Sequence, residues 1–218
     1  MSAPLLMFDH DGVVVDSFEI FSSAFLLACR REGLHGIATP DDVLDLFAGN
    51  VYETMRAAGA GDGQIVRVVT AAADGMRVAM PALRPFPLMP EVIGELGEAR
   101  HIVVVSSNTE AVVGTFLRRH DIRGVAEVAG AETGHSKVEK IRTLIAGHPG
   151  QDVHWFVGDT AGDMREARLA GATPVGVAWG WHGPDLLEEA GAERIAQSPA
   201  DLLAIVAPEL SADFLGSG

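Results

Sequence analysis

Two residue types are scarce in this sequence, and each scarcity excludes a class of site. Cys29 is the only cysteine, which rules out an internal disulfide and a cysteine-based metal cage. A cytoplasmic setting fits a chain with one thiol. Lysine occurs only at Lys137 and Lys140, so any chemistry that needs a lysine has just two candidates.

Positive charge is also in short supply, with 16 lysines and arginines against 30 aspartates and glutamates, a formal charge of -14. Nucleic acid is therefore not expected as a partner, because contacts to its phosphates need clustered basic side chains. The apolar run at residues 5–8 is short and lacks a basic flank, which predicts neither a signal peptide nor a membrane span. The 218 residues suffice for one full domain and a smaller one.

Short apolar runs alternate with amphipathic segments of helical length. The runs at residues 5–8, 102–105, 125–128, 153–157 and 173–177 predict buried parallel strands. Helices are predicted near residues 90–100, 110–120, 137–146 and 161–170. This alternation predicts an α/β fold with an open, doubly wound parallel sheet.

Residues 9–101 separate the first two predicted strands, far more chain than a crossover helix needs. Helical patterns occur there at residues 18–31, from Pro40 onward and at 64–80, and three prolines between residues 83 and 90 indicate a stiff return linker. We therefore predict a core domain at residues 1–16 and 85–218, with an all-helical insert at residues 17–84.

The strongest chemical signal is the segment that follows the first strand, where Asp9 and Asp11 precede Gly12. Two carboxylates two residues apart on extended backbone point to the same side, and burying both is costly without a compensating cation, proton or set of donors. Gly12 permits a sharp turn. An aspartate-rich turn with capping roles is the alternative.

A second acidic pair, Asp159 and Asp163, follows another predicted strand and opens a helix, where capping is again the alternative. The carboxyl ends of neighbouring strands converge in a doubly wound sheet, so these two residues are expected to meet Asp9 and Asp11 in one crevice. Oxygen ligands with room for water favour Mg2+ over zinc.

Two further strand ends carry polar residues. Ser107 and Asn108 offer a hydroxyl and backbone N–H groups for a phosphate, although Ser107 with Glu110 also spells a capping box. Ser136 with Glu139 spells another, which places Lys137 in a first helical turn, where a cation opposes the helix dipole. Lys137 is therefore a candidate to neutralise a phosphoryl group or a carboxylate, whereas Lys140 is expected to be a solvated surface residue.

Together these segments resemble the haloacid dehalogenase superfamily over essentially the whole chain. The family pattern is Asp-x-Asp-Gly with Asp-Ser downstream, then Ser or Thr, then Lys, then Gly-Asp-x-x-x-Asp. The matching residues are Asp9, Asp11, Gly12, Asp16, Ser17, Ser107, Lys137, Gly158, Asp159 and Asp163. The resemblance implies a Rossmann-like core with a helical cap domain inserted after the first motif.

The resemblance also implies residue roles. Asp9 would attack phosphorus to form an aspartyl-phosphate, while Asp11 would protonate the leaving oxygen and then activate water. Ser107 and Lys137 would hold phosphoryl oxygens. Magnesium would bind Asp9, the Asp11 backbone carbonyl and Asp159, with Asp163 direct or through water. His10 departs from the apolar residue usual at its position, and packing is favoured over a role in tuning the site's pH response.

The family's branches differ in their cap residues, and the insert contains no lysine. This excludes the phosphonatase branch and favours a phosphatase for a small-molecule phosphate ester, phosphoglycolate-like or sugar phosphate. A phosphomutase of the β-phosphoglucomutase type and a catalytically weak phosphometabolite-binding protein stay as alternatives, and monomer or homodimer is left open.

Residues 46–52 resemble a specificity loop, and Arg56, Arg67 and Arg77 are candidates for an anionic substrate tail. The loop's candidate substrate contacts are Gly49, Asn50 and Tyr52.

Overall fold

The computed structural model describes residues 4–49, 51–134, 136–150 and 153–210, and eight strands lie in these ranges. They are β1 (Leu5–Asp9), β2 (Val15–Asp16), β3 (Arg84–Pro85), β4 (His101–Val105), β5 (Val125–Ala129), β6 (Trp155–Gly158), β7 (Thr173–Val177) and β8 (Arg194–Ala196). Six of them form one parallel sheet in the order β5-β4-β1-β6-β7-β8.

Ten α-helices lie in the same described ranges, together with short 3-10 turns at Met80–Ala82 and Ala131–Thr133. The helices are α1 (Phe18–Arg31), α2 (Pro40–Phe47), α3 (Val51–Ala57), α4 (Asp62–Ala79), α5 (Met89–Gly97), α6 (Glu110–Arg119), α7 (Lys137–Gly147), α8 (Ala161–Ala170), α9 (Pro184–Glu189) and α10 (Pro199–Val206). None of the described helices is long and apolar enough to span a bilayer.

The central strand β1 is covered on both faces. Leu6 and Phe8 lie in a core cluster on one face of the sheet, while Leu5 and Met7 lie in a second cluster on the other. All four are fully buried, which explains why their sequence is continuously apolar rather than alternating. The predicted doubly wound α/β fold is therefore confirmed.

The sheet order places the end of β1 at a change of direction. β1 pairs with β4 on one side and with β6 on the other, and the chain fills the β4 side before it crosses to the β6 side. Connections leaving the two sides of such a point diverge and open a crevice beyond the carboxyl ends of the strands. The last residue of β1 is Asp9.

Helices α1 to α4 pack around a core of their own, which includes Phe25, Cys29, Met55, Ile65 and Val68. The two segments that connect them to the sheet run side by side, because β2 and β3 pair antiparallel with Val15 opposite Pro85 and Asp16 opposite Arg84. The segment between these paired strands contains helices and their connections, and no strand lies there within the described residues.

Capping explains several helix starts. Thr39 accepts a hydrogen bond from the Asp42 backbone N–H and Pro40 is the first residue of α2, a favourable start. Ser136 caps α7 as the sequence predicts. At α6, however, the cap is Thr109, whose hydroxyl accepts from the Val112 N–H. The capping interpretation of Ser107 is therefore wrong, since the helix begins two residues later.

Some elements are absent from the sequence prediction. The helices α3, α9 and α10 and the strand β8 were not predicted, and the strand predicted from residue 153 begins at Trp155. Within residues 46–52, predicted as one loop, Phe47 ends α2 and Val51 begins α3, so only a short connection separates two helices. Only Met55 of α3 is buried, which leaves little apolar periodicity to detect.

Candidate active site

Asp9 stands at the centre of a charged cluster at the carboxyl end of β1. Its Oδ1 accepts a hydrogen bond from the His10 backbone N–H at 2.8 Å, and its Oδ2 accepts one from Lys137 Nζ at 3.0 Å. Lys137 lies in the first turn of α7, and its ammonium also contacts Asp163 Oδ1 at 2.5 Å. One lysine, whose side chain is 17% exposed, thus bridges the carboxylate at the end of β1 and a carboxylate in the first turn of α8.

A third carboxylate completes the cluster. Asp9, Asp159 and Asp163 each offer an oxygen, and these oxygens all lie within 4.8 Å of one another. Asp159 Oδ2 accepts from the Trp181 backbone N–H at 2.8 Å, whereas its Oδ1 is buried without a hydrogen-bond partner among the described residues. Asp163 Oδ2 accepts from the backbone N–H and the hydroxyl of Thr160, the cap of α8.

The electrostatics of this cluster indicate a shortage of positive charge. Burial raises the pKa of Asp9 to about 7, with Asp163 and Asp11 adding to the rise and Lys137 opposing it. Burial, with Asp163 and Asp9 nearby, raises the pKa of Asp159 well above its usual value. The pKa of Asp163 is lowered, because the charge and hydrogen bond of Lys137 outweigh the effect of burial. The pKa of Lys137 is raised, since Asp163 and Asp9 outweigh its burial.

These residues fit a hard divalent cation. Three carboxylates supply the oxygen ligands that such ions prefer, and the unpartnered Asp159 Oδ1 is a buried acceptor that a cation would satisfy. A cation would also favour the ionised forms of Asp9 and Asp159, whose pKa values are raised without one. The side chain of Asp11 is not part of this three-residue group.

Asp11 faces the neighbouring strand end instead. Its Oδ2 accepts from Asn108 Nδ2 at 2.7 Å and lies 3.4 Å from His10 Nδ1. Burial acts to raise its pKa, but the hydrogen bond and charge of His10 outweigh that effect, so the pKa of Asp11 is lowered. His10 is itself buried, with its ring edge-on to Phe116 at 5.3 Å between centroids. His10 therefore packs against Phe116 and also contacts Asp11.

A cavity of about 200 Å3 adjoins Asp11 and lies between the sheet domain and the helical insert. Ser107 and Asn108 line its inner end, and Ser107 is exposed to it. Residues of α4 and of the turn after it form the opposite wall. Asp11, Ser107 and Asn108 are thus placed where a ligand in the cavity would reach them.

Two glycines allow the backbone to approach Asp159. Gly12 has a φ of +78°, and a Cβ there would overlap the Asp159 carboxylate and the Trp181 ring. A Cβ at Gly180 would overlap Asp159 and lie 2.7 Å from the Gly12 carbonyl oxygen. The turn after β1 and the loop after β7 therefore enclose Asp159 from two sides.

The predicted substrate contacts of residues 46–52 that the structure describes do not line this cavity. Asn50 lies outside the described residues. Gly49 lies near the start of α8, where a Cβ on Gly162 would be 3.7 Å from its carbonyl oxygen. Tyr52 lies on α3 and is 41% exposed. Neither Gly49 nor Tyr52 lines the cavity beside Asp11.

One expectation about lysine is wrong. Lys140 is 5% exposed, and its Nζ donates to the Ser106 carbonyl oxygen at 2.7 Å, so it is a buried support of the strand end rather than a solvated surface residue. Burial, with the Lys137 charge nearby, lowers its pKa. Two features of the sequence could have indicated that Lys140 is buried: lysine is rare in the chain, and Lys140 lies about one helical turn after Lys137.

Sequence reasoning also missed contacts between the sheet domain and α2. His182 accepts a hydrogen bond from the Ala161 N–H through Nδ1 and donates to the Leu44 carbonyl through Nε2. Arg165 of α8 donates to the Ala48 carbonyl oxygen. The segment from Trp179 to Gly183 contacts both parts of the chain: the Trp181 backbone N–H binds Asp159 and the Trp181 ring packs on Phe21 of the insert.

Comparisons with known proteins find similarity over most of the chain. A model of the haloacid dehalogenase-like hydrolases matches residues 6–177. The chain is 27% identical over 206 residues to the phosphoglycolate phosphatase of Synechococcus elongatus. This match covers 92% of this chain and 96% of the relative.

Solved structures show the same fold. A haloacid dehalogenase-like hydrolase from Streptococcus pneumoniae superposes with a TM-score of 0.73 at 21% identity, covering 93% of this chain and 98% of that one. A predicted phosphatase from Clostridium acetobutylicum gives a TM-score of 0.76 at 17% identity, covering 99% and 100%.

Proposed function

Because the chain belongs to the haloacid dehalogenase-like hydrolase family, we propose that it is a magnesium-dependent phosphatase for small-molecule phosphate monoesters, phosphoglycolate-like or sugar phosphates. The observation that carries this proposal is the placement of Asp9, which lies among two further carboxylates and a lysine, two residues before Asp11, which lines a small cavity. The phosphoglycolate phosphatase of Synechococcus elongatus supports the substrate class.

Asp9 is the nucleophile. Its carboxylate oxygen forms a bond to phosphorus as the bond from phosphorus to the leaving oxygen breaks, which gives an aspartyl-phosphate. Lys137 and the backbone N–H of His10 already hold the two Asp9 oxygens, so the carboxylate is fixed in orientation before substrate arrives.

Asp11 is the acid and base. It gives a proton to the leaving oxygen, then takes one from the water that attacks phosphorus and releases Asp9. Its lowered pKa suits the second step. A phosphate dianion nearby raises the pKa of a carboxyl group, which favours the protonated form needed for the first step. Asn108 holds the Asp11 carboxylate toward the cavity.

The carboxylates of Asp9, Asp159 and Asp163 and the backbone carbonyl of Asp11 would hold magnesium. When bound, magnesium offsets the charge repulsion between a carboxylate and a phosphate dianion. Lys137 adds a second positive charge beside the Asp9 oxygen, and Ser107 and Asn108 offer donors to the phosphoryl oxygens. Asp9 is thereby able to approach a group of like charge.

The insert at residues 17–84 acts as a cap that covers the leaving group and excludes water. Its own helical core and the paired connecting strands β2 and β3 support this division of the chain. Gly49, Asn50 and Tyr52 remain candidate substrate contacts of the cap. We also place the enzyme in the cytoplasm.

Removal of the nucleophile tests the proposal. Hydrolysis of 4-nitrophenyl phosphate should require Mg2+ and stop in EDTA, and Asp9→Asn should lower kcat by at least about a thousandfold, because an amide cannot form the acyl-phosphate. Phosphate release is the measurement. Asp121→Asn is the control, since Asp121 is 76% exposed, pairs with Arg123 and follows α6 away from the cluster.

Magnesium-independent hydrolysis that survives in Asp9→Asn would disprove the mechanism. A wild-type protein that converts a sugar phosphate only in the presence of a bisphosphate activator, with little free phosphate, would instead identify a phosphomutase. Tight binding of phosphate without turnover of any ester would identify a binding protein.

A further inference from the structure

The wall of the cavity opposite Asp11 belongs to the cap. It is formed by the last turns of α4 and the residues that follow, while the inner end is formed by His10, Asp11 and the strand-end residues 107–109. If Asp11 protonates the leaving oxygen, the group that departs lies in this cavity, beyond the end where Ser107 and Asn108 would hold the phosphoryl oxygens. The residues that line the cap side are Ala73, Asp74, Met76, Arg77, Met80 and Leu83.

The charges in this lining are few. Arg77 is the only lysine or arginine among the described residues that line the cavity. Most of the remaining wall is apolar, with Met76, Met80, Val112 and Phe116 among its members. This distribution matches a leaving group with a short carbon chain and an anionic group at its far end. The carbon atoms would contact the apolar wall and the anionic group would pair with Arg77.

Arg77 is available for such a pairing. Its guanidinium lies 3.0 Å from Asp74 Oδ1, but the two side chains are 65% and 61% exposed, and exposed pairs of this kind contribute little. The other two arginines considered as anion receptors are engaged elsewhere in the cap. Arg56 pairs with Asp62 and Arg67 forms two hydrogen bonds to Glu32, and neither lines the cavity.

The size of the cavity limits the leaving group. At about 200 Å3 it lies below the range of about 300–1,000 Å3 typical for drug-sized ligands. A two- or three-carbon fragment with one carboxylate is small enough for this space. A planar carboxylate also matches the fork of donors that a guanidinium presents.

Resting on the phosphatase function proposed above, we propose that Arg77 selects substrates by binding a carboxylate on the leaving group, so that the enzyme prefers short phosphorylated hydroxy acids to neutral phosphate esters. Asp74 competes with the substrate carboxylate for Arg77. The two residues therefore have opposite effects on this preference.

Two esters that differ in one group test the proposal: phosphoglycolate and 2-hydroxyethyl phosphate, in which a hydroxymethyl group replaces the carboxylate. Wild type should favour phosphoglycolate in kcat/KM. Arg77→Met should lower kcat/KM for phosphoglycolate about tenfold to a hundredfold, mostly through KM, and change the neutral ester less than about threefold. Asp74→Asn should strengthen the preference. Arg30→Met, at an exposed arginine of the same cap that does not line the cavity, should leave both esters unchanged.

Binding provides a second measurement that does not depend on turnover. In an Asp9→Asn background with Mg2+, calorimetry should show tighter binding of phosphoglycolate than of 2-hydroxyethyl phosphate, and the added Arg77→Met change should remove the difference. Equal affinities in this background, or an equal loss for both esters in Arg77→Met, would overturn the role of Arg77 while leaving the phosphatase function intact. If wild type hydrolysed neither ester while the binding preference for phosphoglycolate was retained, the phosphatase function would be refuted and the role of Arg77 in binding would stand.

Discussion

At the scale of single residues, the site depends on how closely backbone approaches Asp159. Gly180 lies against both Asp159 and the Gly12 carbonyl oxygen, so the loop after β7 contacts the turn after β1 with no room for a side chain. The same loop supplies the Trp181 N–H to Asp159 Oδ2. One methyl group at residue 180 would therefore move a proposed metal ligand.

Gly180→Ala tests this dependence. The added Cβ would overlap Asp159, so we expect the Mg2+ concentration needed for half-maximal phosphatase activity to rise about tenfold or more, because displaced ligands weaken a metal site. Gly183→Ala is the matched control, since a Cβ there meets no atom within 4 Å. A normal Mg2+ dependence in Gly180→Ala would show that the loop yields without moving Asp159.

Single residues also show where sequence reasoning stops. The carboxylates at 9, 159 and 163 and Lys137 could be brought together from the sequence, because each follows a predicted parallel strand or opens a helix beside one. The bond from Asn108 to Asp11 and the burial of Lys140 could not, because each depends on the distance between loops that no local pattern records.

At the scale of secondary-structure elements, α8 and the loop after β7 hold the end of α2. The Trp181 ring packs against Phe21 at 4.9 Å and Phe47 at 5.1 Å between centroids, while Arg165 donates to the Ala48 carbonyl. A guanidinium at the carboxyl end of a helix satisfies a carbonyl group and offsets the helix dipole. These contacts join α1 and α2 of the insert to the sheet domain beside Asp159, where the proposed cap would close.

Arg165→Met should weaken this closure. We expect KM to rise about two- to tenfold with a smaller change in kcat, because an open cap binds the leaving group less well, and we expect faster hydrogen exchange at the carboxyl end of α2. Arg168→Met is the matched control, since Arg168 is an exposed arginine on the same helix. Unchanged exchange in α2 would show that Arg165 does not hold the cap.

Elements differ in how far the sequence predicts them. The strands β1, β4, β5 and β7 and the helices α1, α6, α7 and α8 agree with prediction to within about two residues, because each carries a strong apolar pattern or cap. The short strand β8 and the helix α3 were missed, since each buries a single residue. Local pattern is weak where an element is held mainly by its neighbours.

At the scale of the whole molecule, buried carboxylates link folding to pH. Asp9 has a pKa of about 7 in the fold against 3.8 for an unperturbed aspartate. Between these values the folded chain keeps a proton that the unfolded chain has lost, so the stability from Asp9 is present at low pH and is lost as pH rises through about 7. Asp159 acts in the same direction.

Other titratable groups either oppose the effect of Asp9 on stability or act outside the pH range between about 3.8 and 7. The pKa values of Asp163 and Asp11 are lowered in the fold, so these two groups stabilise the folded chain above their unfolded pKa near 3.8. This stability is lost only as pH falls below that value. Burial lowers the pKa of His120, His154 and His182, so their contribution makes the fold more stable as pH rises toward 6.5. Only a difference between two variants isolates Asp9.

The difference between wild type and Asp9→Asn provides that measurement, because asparagine does not titrate. In EDTA, the Tm of wild type should fall relative to that of Asp9→Asn by about 3 °C or more per pH unit between pH 5 and 7. Saturating Mg2+ should abolish this relative slope, since a bound cation keeps Asp9 ionised in the folded chain and so replaces the proton. For the same reason the Mg2+-induced rise in Tm should be larger at pH 8 than at pH 6. Parallel Tm profiles of the two proteins in EDTA would show that Asp9 is already ionised across this range, and Lys137 alone would then suffice to balance its charge.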